Sequence, residues 1–183
     1  NPAALPYISQ FHTGAWVEKK FMLEELRQYS IITGAPAAGG GCAFSMDYSG
    51  LPVYRQWQSS LAFGKKLGRL SLGAQMNYTA QRSTGYGNKG WLSAGIGALW
   101  HLSSVLSAGW QLYHLSGKLL SGDGGERVAY GYSAGLGWLL APAILMESSF
   151  IKHEGQSASF QAAIHYKADH HLMTSSFLEV YQT

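Results

Sequence analysis

The chain is poor in cysteine and in charge. Its one cysteine, Cys42, among 183 residues excludes an internal disulfide framework and any multi-cysteine metal site. Asp, Glu, Lys and Arg make up 13% of the chain, about half the ~25% of an ordinary soluble domain, so a densely charged skin over an apolar core is excluded. Residues 90–117 and 128–146 carry no formal charge at all. No Lys/Arg cluster interleaves with aromatics, and a net charge of +3 is too small and scattered to read as a nucleic-acid footprint. No G-x-S-x-G elbow, P-loop or dinucleotide fingerprint is present. No secretory leader is visible, and the chain opens on NPAAL without a methionine. The expectation is a trimmed or processed sequence.

Glycine, by contrast, is abundant: 23 residues, well above the usual ~7%. In strands it marks bulges, curvature or close backbone approach. The two charge-free windows are long enough to cross a bilayer, but their pattern has a period of two. Leu92, Ala94, Ile96, Ala98 and Trp100 alternate with Ser93, Gly95 and Gly97. Tyr130, Tyr132, Ala134, Leu136, Trp138 and Leu140 alternate with Gly131, Ser133, Gly135 and Gly137. Such alternation predicts strands with one apolar and one small or polar face, the pattern of a transmembrane β-barrel. Leu70, Leu72, Ala74, Met76 and Tyr78 then point outward against Ser71, Gly73, Gln75 and Asn77. Ala158, Phe160, Ala162, Ile164 and Tyr166 likewise oppose Ser157, Ser159, Gln161, Ala163, His165 and Lys167. Cys42 falls in phase with Phe44, Met46 and Tyr48, a small apolar residue on the outward face. Two other folds compete. Transmembrane helices would pack through Gly131 and Gly135, but dense glycine, Pro142 and strict alternation oppose them. A soluble sandwich or lipocalin-like barrel would need more outward charge.

About eleven strands are predicted, over 11–19, 28–36, 41–49, 55–64, 69–80, 90–102, 104–116, 126–140, 143–152, 156–168 and 171–182. Most approach the ~9–11 residues of a tilted membrane-crossing strand. Short turns are expected at 37–40, 65–68, 103–104, 141–142 and 167–171. KFMLEELR, SGLPVY, QRSTGYGNK, KLLSGDGGE and HEGQ form the longer, more charged connections, with a helical turn possible over 21–28. Short and long connections alternate, so the long ones gather at one end, as do the extracellular loops of outer-membrane barrels. Trp57, Trp91, Trp100, Trp110, Trp138, Tyr78, Tyr130 and Tyr166 would supply the aromatic girdles at the two membrane interfaces.

Chemistry-bearing residues are scattered. Adjacent His170 and His171 point to opposite faces of a strand and cannot chelate one ion together. His12 has only Gly14 at the next position on its face. Ser148, Ser149, His153 and Glu154 gather near one strand end, and His114 with Ser116 near another, but a nucleophile needs a base and an orienting group within reach. Glu147, Gln75, Asn77, Asp47 and His165 are the polar residues expected inside, where a barrel must hydrogen-bond them whether or not a ligand passes. No catalytic, metal or cofactor residue is assigned, and no cofactor is implied.

NPAAL resembles the NPA segment that follows the first strand of FadL-like outer-membrane proteins. LAFGKKLGRLSLGAQMNY, MDYSG after a Gly-rich strand and SVLSAGWQLYH are similar in kind and order to the PorV/PorQ-like branch of that family in Bacteroidetes. The resemblance covers nearly the whole chain and implies a single barrel domain over 1–183, typically of fourteen strands, with one more strand before Asn1 and two after Thr183. It implies residence in the outer membrane of a Gram-negative bacterium. The function implied is that of a non-enzymatic binding or scaffold component of a surface or type IX secretion complex. Its long loops, with Tyr54, Tyr86, Leu119 and Leu120, would meet other outer-membrane or secreted proteins. The alternative is a FadL-like channel for small hydrophobic molecules, and behind it an outer-membrane lipid-modifying enzyme.

Overall fold

Alternating sequence of this kind can bury one face of a strand only if neighbouring strands keep the same phase, and the computed structural model shows that they do. It describes residues 1–19, 27–51, 53–85, 87–121, 129–169 and 172–181. Eleven strands follow in sequence order: β1 His12–Lys19, β2 Arg27–Ala37, β3 Gly40–Leu51, β4 Tyr54–Leu67, β5 Leu70–Ser83, β6 Gly87–His101, β7 Leu106–Ser121, β8 Gly131–Ala141, β9 Ile144–His153, β10 Ser159–Asp169 and β11 Leu172–Tyr181. Each pairs antiparallel with the next, giving one up-and-down sheet. A single short 3-10 helix, Pro2–Tyr7, precedes them. No helix among the described residues is long and apolar enough to cross a membrane, which disposes of the helical reading of the charge-free windows. Because eleven is odd, β1 and β11 run in the same direction.

The register carries the two faces across the whole sheet. Met46, Ser59, Tyr78 and Leu92 form one row of directly opposed residues. Two positions nearer the turns, Phe44, Leu61, Met76 and Ala94 form the next. Leu72, Ile96, Leu136 and Ile164 lie exposed on this apolar face, as the alternation predicts. Cys42 is on it too, opposite Ala35 and Phe63. Ser71, Asn77, Thr79 and Ser93 point the other way and are buried. Trp91 departs from its expected place in a girdle, since it stands opposite Thr79 on the polar face.

Turns occupy 38–39, 68–69 and 142–143 at one end of the sheet, with bends over 102–105. The connection at 170–171, with His170 and His171, lies outside the described residues. At the opposite end two connections expected to be long are short. The strands run through SGLPVY and QRSTGYGNK, leaving only residues 52–53 and 84–86 between them. Tyr54 thus opens β4, and Leu119 and Leu120 belong to β7 rather than to a loop. Arg27 and Gln28, placed by sequence in a possible helical turn, begin β2; residues 21–26 of that segment and Tyr86 lie outside the described residues.

The β2–β3 turn has positive φ at both central residues, 48° at Ala38 and 73° at Gly39. That backbone matches the right-handed twist of a two-residue hairpin, but it suits Asn-Gly better than Ala-Gly. Ala38 is exposed and has no packing role to lose. Ala38→Asn should therefore raise stability by about 0.5–1 kcal/mol, seen as a higher urea midpoint in detergent. A lower midpoint would mean that the turn is not of this type.

Candidate functional site on the covered face

The polar face is partly covered by residues 1–7. Asn1 caps the 3-10 helix by accepting the Ala3 N–H at 3.0 Å. Its side-chain amide also donates to the carbonyls of Ala98 at 3.2 Å and Trp110 at 3.0 Å, bridging β6 and β7. Pro2 supplies the fixed φ that suits a helix start, and Ala3 is fully buried. At the other end the Tyr7 hydroxyl shares a 2.9 Å hydrogen bond with Ser71. The Tyr7 ring stands edge-on to His101, centroids 5.0 Å apart, with the Lys66 ammonium 5.1 Å from its centre. The segment is pinned at both ends.

What admits it is a row of four directly opposed glycines, Gly41, Gly64, Gly73 and Gly97, on β3 to β6. A Cβ at Gly41 would land on the Leu5 carbonyl, one at Gly64 on the Pro2 carbonyl, one at Gly73 on Pro2 and Ala3, and one at Gly97 on the Asn1 side chain. Backbone thus lies on backbone, an approach only glycine permits. N-P-A reads physically as a cap, a preset turn and a residue small enough to sit on glycine.

Beside Asn1 the covered face opens into a groove of about 550 Å³. Gln111, Ser133, Ser149, Glu147 and Gln161 line it over a floor containing Gly109 and Gly135. Glu147 faces inward as its position in β9 requires, and accepts a hydrogen bond at 2.9 Å from Nε2 of His165 on β10. Farther toward the loop end, Ser30 donates to the Asp47 carboxylate at 2.6 Å. Gln75 lies across Gly95, and Asn77 is buried with no hydrogen-bond partner on its carbonyl oxygen among the described residues.

The clusters suggested by sequence do not form as such. Ser148 stands opposite Leu136 and Ala162 on the apolar face, Ser149 on the other. His153 lies beside Tyr113, ring centroids 6.1 Å apart and planes tilted by 32°. Glu154 sits in the β9–β10 turn, its N–H donating to the Tyr130 carbonyl. His114 meets Ser93, Nδ1 to Oγ 3.0 Å; the side chain of Ser116 lies outside what the structure describes. A bulge in β7 explains that pairing: Leu112 opposes Ile96 and Leu115 opposes Ala94, so Tyr113 and His114 both turn to the covered face. His114 takes a φ of 55° there, a left-handed conformation costly for a side chain of this size. The Tyr113 hydroxyl continues to Ser133 at 2.9 Å. Sequence held a sign of the bulge, since the outward series Ala108, Trp110, Leu112 slips by one to Leu115.

Chemically the covered face offers, among the described residues, hydrogen bonding and the Glu147–His165 carboxylate–imidazole pair. Among the described residues no group of three or more His, Cys, Asp or Glu is placed to hold a metal ion. Ser93 and His114 touch, but no carboxylate is hydrogen-bonded to that histidine among the described residues. The comparisons with known proteins find no matching family, no matching curated protein and no matching solved structure.

Proposed function

We propose that this sheet is the wall of an outer-membrane β-barrel that acts as a non-enzymatic binding or scaffold component of a surface or type IX secretion complex. The observation that carries the reading is the division of labour between the faces. One bears exposed Leu72, Ile96, Trp100, Leu136, Trp138 and Ile164, a face suited to lipid. The other is already occupied by Pro2–Tyr7, which takes space a passing molecule would need. What remains for partners is the loop end, where β3–β4 and β5–β6 run on as paired ribbons into their tight connections. The rival channel for hydrophobic molecules would have to use the groove beside Asn1, whose lining mixes Gln111, Ser133, Ser149 and Gln161 with Leu99 and Ile151.

The protein extracted in mild detergent should show a β-dominated circular dichroism spectrum and heat-modifiable migration on gels. Affinity purification from its native membrane should bring down outer-membrane or secreted proteins. Replacing residues 50–55 and 82–88 by minimal turns should abolish that association while leaving heat-modifiability intact. A solitary barrel carrying a lipid-like molecule on its covered face would instead establish the channel.

A further inference from the structure

At the loop end of the apolar face the register gathers cations. Gly50 opposes Arg55, Arg55 opposes Arg82, and Arg82 opposes Asn88. Like charges directly opposite on a sheet are destabilising, and Arg55 and Arg82 are both exposed with no protein hydrogen bond or ion pair among the described residues. Two positions nearer the sheet centre, ~7 Å along the strand, the same face carries Tyr29, Tyr48 and Trp57 in one row, and Tyr78 stands one row below. A groove of about 490 Å³ spans both levels, lined by Arg55, Arg82, Asn88, Tyr48, Trp57 and Tyr78.

We infer that Arg55 and Arg82 form a seat for the phosphate of an anionic lipid headgroup, with Tyr48, Trp57 and Tyr78 holding the upper part of its apolar chains. The inference rests on the barrel reading above. A guanidinium pair offers two planar forks that match phosphate oxygens, and an inserted phosphate turns their mutual repulsion into two attractions. A soluble anion would use the arginines alone. An amphiphile uses both levels of the groove, which have the order of a membrane interface: cation outermost, aromatic belt next, aliphatic rows beyond.

The test uses the full chain and its R55Q/R82Q variant, reconstituted in mixed vesicles of phosphatidylcholine and phosphatidic acid, then re-extracted, with the retained lipid counted by mass spectrometry. The wild type should retain phosphatidic acid about tenfold over its share of the mixture. R55Q/R82Q should retain it in proportion, and R55K/R82K, which keeps charge but loses the fork, should fall between. Equal retention by wild type and R55Q/R82Q overturns the seat, as does complete displacement by inorganic phosphate, which would mark a site for free anion. Gel migration of the same samples separates the two levels of inference. Loss of heat-modifiability in the wild type sinks the barrel and the seat together; a heat-modifiable wild type with no lipid preference sinks the seat alone.

Discussion

Leucine in place of Gly73 should lift the N-terminal 3-10 helix off the sheet. Even a Cβ at this position would land on the backbone of Pro2 and Ala3, and backbone cannot step aside as a side-chain tip does. The cost of forcing bulk into such a contact is about 1–3 kcal/mol, and release of the segment is the cheaper response. Hydrogen exchange should show it directly: the Ala4 N–H, bonded to the Asn1 carbonyl, and the Ile8 N–H, bonded to the Leu5 carbonyl, should lose protection together. Ala74→Leu, one residue along on the apolar face, should leave both protected. Unchanged exchange in Gly73→Leu would mean that the segment does not rest on the glycine row.

Arginine at Leu136 should be costlier than leucine at Gln161 if the apolar face meets lipid. Leu136 is 52% exposed and stands opposite Ala108 and Ser148 near the middle of β8. Near the midplane of a bilayer such a charge costs about 2–4 kcal/mol. Gln161 lines the groove on the covered face, and exchanging it for leucine should be mild. Unfolding from vesicles at graded urea concentrations ranks the two. If Gln161→Leu is the worse, the faces are assigned the wrong way round.

The strands were legible because each signal was local. Alternation at Leu70 to Tyr78 or Tyr130 to Leu140 needs no knowledge of any other segment, and all eleven predicted strands are present with ends shifted by a few residues. The connections were harder to read. Polar residues in QRSTGYGNK suggested a loop, yet Gln81, Arg82 and Ser83 pair with Lys89, Asn88 and Gly87. Polarity marks exposure, and a strand extending beyond its neighbours' apolar rows is as exposed as a loop. Least legible was the covered face. Gly41, Gly64, Gly73 and Gly97 become one row only after three hairpin registers are fixed, and no local window holds more than two of them. Glu147 and His165 were each expected inside, but their contact depends on the β9–β10 pairing. The glycine count hinted at close approach without saying what approaches.

The contacts of Asn1 also set an order of events. Its amide reaches carbonyls 97 and 109 residues away, the second of them on β7. Hairpins form from neighbours, whereas contacts of this span must wait for a large loop to close and are slow to form. Asn1 therefore cannot make both of these contacts until β6 and β7 have paired. Residues 1–7 close over strands already paired, and a sheet stalled before β7 joins lacks the Trp110 carbonyl, one of the two that hold Asn1.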